Sequence, residues 1–249
     1  MLYVGETTIR GEQLRFGMTP DERLGHVVLI GKTGTGKTKS LLSSMIQDVQ
    51  ARETLVCIDT RDGVTHELLQ YIPLEHAENT VLVDVHRPAD VRDAHIAETI
   101  VRGGVVLVDC SRARIGPTEA RQAAYIALGI VWETAKKLGD SGKPIHLYID
   151  GVDLAAGHTL VEFLNIAATL HVDITMTLHY LSELPLFVRE AILGLVRTWM
   201  LFQTGPNDAH FFETMFAPRF RASDLEHVRP GHFFTNLMAG ERTDRKSVV

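Results

Sequence analysis

The sequence predicts an α/β fold with a mostly parallel central sheet flanked by helices. Short runs of β-branched and apolar residues alternate with helix-length segments, which is the pattern of βαβ units. Most of these runs are continuously apolar, as strands buried on both faces require. A glycine-rich loop also stands between a predicted strand and a predicted helix. Together these observations favour one domain built around a buried sheet.

Seven strands are predicted from the apolar runs, and seven helices from the segments between them. The strands are expected at 26–30, 54–59, 80–85, 104–109, 144–150, 172–177 and 197–202. The helices are expected at 37–50, 64–71, 89–101, 117–138, 160–170, 184–193 and 208–216. Pro117 and Gly139 flank the longest helix as start and stop residues. We therefore expect a short β-rich segment over 1–25, followed by a single domain over 26–243.

Composition and charge place the chain among ordinary globular proteins. Of its 249 residues, 45% are hydrophobic and 22% are charged, which argues against disorder, collagen-like repeats and coiled coils. The formal net charge of −6 provides no general basic field, so nucleic acid could bind only at local patches. The best such patch is Arg112, Arg114 and Arg121, for which a solvated face or a subunit contact is the first interpretation.

Nothing in the sequence indicates insertion into a membrane. The longest apolar run has ten residues, which is too short to span a bilayer, and the first residues lack the order of a signal peptide. We therefore expect a cytoplasmic protein. Residues 244–249 read like a translated sequencing adapter, so we expect this tail to be an artefact whose removal leaves ligand binding unchanged.

The strongest functional signal is the segment 31–38, which matches the phosphate-loop pattern G-x-x-x-x-G-K-[ST]. Its glycines let backbone N–H groups wrap around a polyphosphate, and the next helix adds its positive N-terminal end. Lys37 is expected to reach the β- and γ-phosphates, and the Thr38 hydroxyl to ligate Mg²⁺. The predicted nucleotide-binding residues are Gly31, Thr33, Gly34, Thr35, Gly36, Lys37 and Thr38.

A second Mg²⁺ ligand is expected from a carboxylate at the end of another apolar strand. Asp59, Asp109 and Asp150 all end predicted strands, so spacing alone does not choose among them. The N-K-x-D type of motif that reads guanine is absent, which makes adenine the default base. The sequence thus predicts a P-loop NTPase that binds ATP and Mg²⁺.

Several further segments occur in an order known from one family. They are residues 21–26 before the loop, and then 58–63, 68–73, 104–116, 202–209 and 216–218. In this order the chain resembles the HerA–FtsK superfamily of DNA-pumping ATPases, and it is closest to the DNA-binding coupling-protein branch of type IV secretion. The resemblance covers about 21–243 and implies a RecA-like ATPase domain that works on DNA in a hexameric or mixed ring. It also implies that Asp150 is the catalytic-site carboxylate that holds Mg²⁺ with Thr38.

Four positions that this family uses for hydrolysis differ here. The family's water-activating glutamate falls on Gly151, and a candidate phosphate-sensing arginine falls on Ala168. The sensor glutamine falls on His179, and a further arginine falls on Gln203. Asp153 and His179 are the remaining candidates for a catalytic base. Losing such groups commonly costs orders of magnitude in rate, whereas the residues predicted to bind the nucleotide are all present.

Two functions are therefore predicted. The first is an ATPase motor domain that acts in conjugative transfer or DNA translocation. The second is a subunit that binds nucleotide but is deficient in hydrolysis, acting as a switch or a structural member of a motor ring. Residues 86–103 bridge the gap in which the family usually inserts a large helical domain, so that substrate-recognising module is expected to be missing.

Overall fold

A computed structural model describes the protein over residues 1–9, 12–61, 63–139, 142–218, 220–239 and 242–248. Residues 62 and 249 are among those outside these ranges. Asp62 belongs to one of the segments behind the family resemblance, and Val249 belongs to the suspected tail.

The described residues alternate between strands and helices for most of their length. The strands are β1 (Leu2–Ile9), β2 (Glu12–Met18), β3 (Val27–Ile30), β4 (Thr54–Asp59), β5 (Thr80–Asp84), β6 (Val105–Asp109), β7 (Ile145–Asp150), β8 (Val172–Leu178), β9 (Thr198–Leu201), β10 (Phe233–Ala239) and β11 (Arg242–Val248). The helices are α1 (Pro20–Arg23), α2 (Lys37–Gln50), α3 (Val64–Leu69), α4 (Asp90–Asp93), α5 (Ile96–Val101), α6 (Arg112–Ile115), α7 (Pro117–Leu138), α8 (Val152–Ala155), α9 (His158–Ile166), α10 (Leu186–Leu195), α11 (Pro206–Phe216) and α12 (Ala222–Glu226). Short 3₁₀ turns cover Leu74–Asn79, Ala167–Leu170 and Leu181–Glu183.

Within the described residues, nine strands form one sheet in the order β11-β10-β9-β3-β8-β7-β4-β6-β5. The seven strands from β9 to β5 are parallel, and β10 and β11 extend the sheet in antiparallel fashion. Helices join the parallel strands, as crossover connections require. The predicted α/β fold with a mostly parallel sheet is therefore confirmed. Strands β1 and β2 form a separate antiparallel hairpin.

Two layers of helices cover the sheet and bury both of its faces. Along β4, Val56 and Ile58 point into the core on the side of α7 and α9, whereas Leu55 and Cys57 point toward α2 and α3. The small residues Ala120, Ala123, Ala124 and Ala127 lie on the buried face of α7 and let it approach the strands closely. Burial on both faces explains why the strands are continuously apolar in sequence.

The helix predicted over 89–101 is wrong in one respect, because the structure breaks it into α4 and α5. Ala94 between them is extended, with ψ of 145°. Val91 and Ile96 are five residues apart, so a continuous helix would place them about 140° apart around its axis. Both are fully buried in the structure. The break thus lets both side chains reach the same core.

Other predicted boundaries differ at their ends. The helix expected from residue 184 begins at Leu186, directly after Pro185, and the one expected over 160–170 is α9 followed by a 3₁₀ turn. No strand was predicted for β10 or β11. No helix among the described residues combines the length and the apolar character needed to cross a bilayer.

Candidate functional site

The phosphate loop connects β3 to α2 and ends at Gly36, the N-cap residue of that helix. Gly36 has φ of 115°, a conformation that residues with a side chain rarely adopt. A Cβ atom there would lie 3.3 Å from Cα of Gly231, whose N–H donates to the carbonyl of Thr35 at 2.9 Å. Glycine is therefore needed at position 36 for two reasons. Its backbone makes the turn into α2, and the segment before β10 packs closely against it.

The ammonium of Lys37 is folded back under the loop. Its Nζ donates to the carbonyl oxygens of Gly31 at 2.6 Å and of Lys32 at 2.9 Å, and the residue is only 6% exposed. Burial lowers the pKa of Lys37 to about 8, although the nearby Asp150 carboxylate opposes this effect. A bound anion would stabilise the charged form of this side chain.

Asp150 ends β7 directly across from the start of α2. Its Oδ2 lies 3.4 Å from the Thr38 hydroxyl, and its Oδ1 accepts a hydrogen bond from the Thr177 hydroxyl on the neighbouring strand β8. Burial raises the pKa of the Asp150 carboxyl, while Thr177, Arg61 and Lys37 each act to lower it. Thr177 thus holds Oδ1 of the carboxylate in place, while Oδ2 faces Thr38 at the start of α2.

The two other strand-end aspartates are occupied by local structure. Asp59 accepts backbone N–H bonds from Arg61 at 3.0 Å and from Val64 at 2.9 Å, where it caps the start of α3. Burial raises the pKa of Asp59 to about 6. Asp109 accepts the N–H of Ser111 at 3.1 Å and pairs with the Arg114 guanidinium. These partners distinguish both residues from Asp150, which lines the pocket described next.

A pocket of about 450 Å³ opens above the phosphate loop. Its lining residues are Thr33, Gly34, Gly36, Lys37, Thr38, Lys39, Arg61, Arg112, Asp150 and His179. Gly31 and Thr35 support the loop from behind, since the Gly31 carbonyl holds Lys37 and the Thr35 hydroxyl donates to the Lys32 carbonyl at 2.8 Å. The structure therefore brings the predicted loop residues and Asp150 to one place, at the carboxyl ends of the parallel strands.

Position 151 has no space for a side chain. Gly151 has φ of 85°, and a Cβ atom would lie 2.4 Å from Oγ1 of Thr60 and 2.6 Å from Nε of Arg61. The Thr60 hydroxyl cannot move freely, because it donates to the carbonyl oxygens of Asp150 at 2.9 Å and of Gly151 at 2.8 Å. The Arg61 side chain therefore occupies space that a side chain at position 151 would need.

Arg61 connects the pocket to two acidic residues. Its Nη2 donates to Oδ1 of Asp153 at 2.7 Å and lies 3.5 Å from Oε2 of Glu183. Asp153 also pairs with Arg112 at 3.4 Å. Asp153, a predicted candidate base, thus lies behind Arg61 with two arginines as partners, and it does not line the pocket itself. Burial raises the pKa of Asp153, and the arginines oppose that shift.

His179, the other candidate base, lines the pocket at the end of β8. Burial, followed by the positive charges of Arg61 and Lys37, lowers the pKa of His179 to about 4. The imidazole is therefore neutral at pH 7. It can accept a proton only weakly, because its conjugate acid is much stronger than that of an ordinary histidine.

The remaining departures from the family pattern lie apart from the pocket lining. Gln203 uses its side-chain amide to donate to the carbonyl of Glu226 at 2.9 Å, and its own carbonyl accepts the N–H of Lys32 at 2.7 Å. Ala168 precedes β8 and so lies at the amino ends of the parallel strands, away from the pocket at their carboxyl ends. The basic patch predicted from sequence is divided, since Arg112 lines the pocket whereas Arg114 pairs with Asp84 and Asp109.

Sequence reasoning missed three groups around this site. Arg61 lies within a segment used for the family resemblance, but it was assigned no role. Thr177 and Glu183 were not considered, although Thr177 is the last residue of the strand predicted over 172–177. Their place in the site follows from tertiary structure alone, because it depends on which strand ends are neighbours in the sheet.

The parallel sheet and the strand–loop–helix unit define the fold as that of a RecA-like P-loop ATPase. Solved structures with this fold include the plasmid coupling protein TrwB in complex with a non-hydrolysable ATP analogue, with a TM-score of 0.72 and 9% identity over 98% of this chain and 89% of the other. TrwB in complex with ADP and Mg²⁺ gives a TM-score of 0.70 and 10% identity over 98% of this chain and 90% of the other.

A viral protein is similar as well. The genome packaging NTPase B204 from Sulfolobus turreted icosahedral virus 2, in complex with AMPPCP, gives a TM-score of 0.60 and 14% identity over 93% of this chain and 99% of the other. No protein-family model and no curated protein matches the sequence. At these identities the likeness shows the fold alone, and the RecA-like ATPase fold that the family resemblance predicts is confirmed.

Proposed function

We propose that the protein binds ATP with Mg²⁺ at the pocket above the phosphate loop. One observation carries this proposal: Lys37 and Thr38, at the start of α2, and Asp150, at the end of a distant strand, converge on that pocket. The N-terminal end of α2 adds partial positive charge to the same place. A polyphosphate bound there would replace the carbonyl oxygens that now accept the Lys37 ammonium.

The donor set suits Mg²⁺. Thr38 and Asp150 provide a hydroxyl and a carboxylate oxygen 3.4 Å apart, and Mg²⁺ prefers such oxygen ligands together with water and phosphate. The bound ion would neutralise charge that develops on the phosphates during transfer. The Thr177 hydroxyl would keep the Asp150 carboxylate oriented toward the ion.

We further propose that this domain is a motor ATPase acting on DNA in a hexameric or mixed ring, in conjugation-like transfer or DNA translocation within the cytoplasm. The support is the fold, which is shared with a plasmid coupling protein and with a viral genome packaging NTPase. Because the net charge is −6, DNA would have to contact local basic side chains.

One observation favours a second candidate, a subunit that binds nucleotide but hydrolyses it very slowly. The position at which the resembling family has its water-activating glutamate is Gly151, where a Cβ atom would collide with Thr60 and Arg61. The candidate bases are also poorly suited, since Asp153 is paired with arginines and the pKa of His179 is lowered to about 4. Binding without turnover would make this chain a switch or a structural member of a ring.

A paired measurement tests both candidates. ATP·Mg²⁺ affinity and steady-state phosphate release, with and without DNA, are compared for the wild type, Lys37→Ala and the control Lys136→Ala, whose exposed side chain pairs with Glu133 on α7. We expect Lys37→Ala to lose binding and Lys136→Ala to retain it. Equal affinity in all three proteins would refute the nucleotide site, while DNA-stimulated release that Lys37→Ala abolishes would select the motor over the switch.

A further inference from the structure

We propose that Arg61 is the residue with which this site recognises the terminal phosphate of a nucleoside triphosphate and distinguishes it from a diphosphate. The inference rests on the proposed nucleotide site and names the specificity-determining residue within it. No position of the chain was assigned this role on sequence grounds.

The placement of Arg61 is the first argument. The residue follows β4, its side chain is 15% exposed, and it lines the same pocket as Lys37 and Thr38. Its Cγ and Nε lie 2.9 and 2.6 Å from the point that a Cβ atom on Gly151 would occupy. The guanidinium stem therefore crosses the end of β7 next to Asp150, in space that a larger residue at 151 would need.

The bonding of Arg61 is the second argument. Both of its ion pairs, with Asp153 and Glu183, use Nη2. The buried Nε has no hydrogen-bond partner among the described residues. A guanidinium carries five N–H donors in a planar fork that matches phosphate oxygens. An unpartnered buried donor is costly, so the present pairing leaves Arg61 with donors still to be satisfied. A phosphate oxygen in the pocket is an acceptor toward which the guanidinium could shift.

Electrostatics are the third argument. The positive charge of Arg61 acts to lower the pKa values of Lys37 and His179, so its field extends to the phosphate loop. The carboxylates of Asp153 and Glu183 balance that charge while no stronger anion is bound. A terminal phosphate would compete with them for the guanidinium.

The contacts of Glu183 indicate how nucleotide state would spread from Arg61. The Oε2 atom that faces Arg61 also accepts the N–H groups of His179 at 3.1 Å and of Tyr180 at 3.4 Å. A change in the Arg61–Glu183 pair therefore acts on the turn after β8. A site with this connection can report whether the bound nucleotide is a triphosphate.

The test compares affinities for adenylyl imidodiphosphate and for ADP, each with Mg²⁺. The proteins are the wild type, Arg61→Ala, Arg61→Lys and Lys37→Ala. The control is Arg52→Ala, whose exposed side chain pairs with Glu75 away from the pocket. Because charge-assisted hydrogen bonds are the strong ones, we expect Arg61→Ala to lose about 10- to 100-fold in triphosphate affinity and to keep ADP affinity within about twofold. Arg61→Lys should recover only part of the loss, since an ammonium lacks the fork.

The outcomes separate this inference from the proposed function. If Lys37→Ala binds both nucleotides as the wild type does, the nucleotide site itself is wrong. If Lys37→Ala loses both nucleotides while Arg61→Ala weakens them equally, Arg61 has only a structural role. Should Arg61→Ala fail to fold, Asp153→Asn decides, because releasing Arg61 from its carboxylate should raise the ratio of triphosphate to diphosphate affinity. An unchanged or lower ratio would overturn the proposal.

Discussion

Arg61 fills the space beside Gly151, so that a Cβ atom on Gly151 would lie 2.6 Å from Nε of Arg61. The contact explains why a larger residue does not fit at position 151 in this chain. In its present position Arg61 requires a glycine at 151, because a side chain there would displace the guanidinium. Restoring a glutamate alone therefore does not restore the family's arrangement.

We predict that Gly151→Glu is destabilising and does not raise phosphate release. The left-handed backbone at 151 alone costs a residue with a side chain on the order of 1–3 kcal/mol, and the collision with Thr60 adds to this. Urea denaturation measures the stability, and steady-state phosphate release measures the turnover.

A second glycine substitution provides the control. Gly129 lies within α7, and a Cβ atom there has no neighbour within 4 Å. Gly129→Ala should therefore be neutral or stabilise the protein by up to about 1 kcal/mol. Faster phosphate release from a Gly151→Glu variant of wild-type stability would show that the pocket can rearrange and that our account of Arg61 is incomplete.

Thr177→Val should weaken nucleotide binding mainly when Mg²⁺ is present. The Thr177 hydroxyl donates to Oδ1 of Asp150 and accepts the N–H of Gly151 at 2.9 Å. Valine keeps the shape but leaves the buried N–H unpaired, which costs about 1–3 kcal/mol of stability. It also frees the carboxylate that we propose as a Mg²⁺ ligand. Nucleotide affinity measured across a Mg²⁺ titration checks this expectation.

Thr235→Val is the matched control for that substitution. Thr235 is fully buried in β10, and its hydroxyl has no partner among the described residues, so removing it should cost little or nothing. Equal effects of Thr177→Val with and without Mg²⁺ would mean that Thr177 supports the strands and has no part in holding the ion.

Much of the fold was predictable because local signals and tertiary demands agree. The helices at 37–50 and 117–138 match α2 and α7 at both ends. A phosphate loop and a proline mark their starts, and Gly139 follows the end of α7. The helix over 89–101 was wrong because only packing requires both Val91 and Ile96 to reach one core. Strand β10 follows a proline and a glycine, and its pairing with β9 depends on residues far away in sequence.

The part of the candidate site that lies in one contiguous motif was predictable, whereas the parts that depend on neighbouring strands were not. Lys37 and Thr38 belong to one contiguous motif, so the sequence places them together. Spacing did not distinguish Asp150 from Asp59. The family resemblance favoured Asp150, and the partners of the two residues in the folded chain separate them. The role of Arg61 depends on β4 lying beside β7, which local sequence does not reveal.

Nucleotide binding near pH 8 should take up protons through Lys37. Burial lowers the pKa of Lys37 to about 8, whereas an unfolded lysine titrates near 10.4. A bound phosphate favours the charged ammonium and raises that pKa again, so binding at pH 8 should take up about half a proton. Calorimetry in two buffers of different ionisation enthalpy measures the uptake.

The lowered pKa of Lys37 also determines how the free energy of unfolding changes with pH when no nucleotide is bound. Between about pH 8 and 10.4 the unfolded chain binds more protons at this residue than the folded chain, so the contribution of Lys37 to the free energy of unfolding rises with pH in that window. Lys37→Arg, which stays charged, should show neither effect. Proton uptake that persists in Lys37→Arg would assign the titration to another group.

Arg23→Met should destabilise the protein strongly, because Arg23 belongs to a buried cluster of charged residues at the amino ends of the strands, opposite the nucleotide pocket. Arg23 donates to both carboxylate oxygens of Asp48, at 2.7 and 2.8 Å, and to Asp173 at 3.2 Å. The Tyr148 hydroxyl donates to Asp48 at 2.5 Å. Removing the guanidinium leaves the Asp48 carboxylate buried without its counter-charge, whereas Asp173 keeps its contact with His146. Breaking a buried pair in this way costs about 3–5 kcal/mol.

Urea denaturation of Arg23→Met measures this loss, and Arg15→Met is the control. Arg15 also pairs with a carboxylate, that of Glu6, but its side chain is 74% exposed, so its removal should change stability by less than about 1 kcal/mol. Because the cluster lies at the amino ends of β7 and β8, nucleotide affinity of the folded Arg23→Met protein should equal that of the wild type. A stability loss as small as that of the control would show that Asp48 and Asp173 find other partners or take up protons.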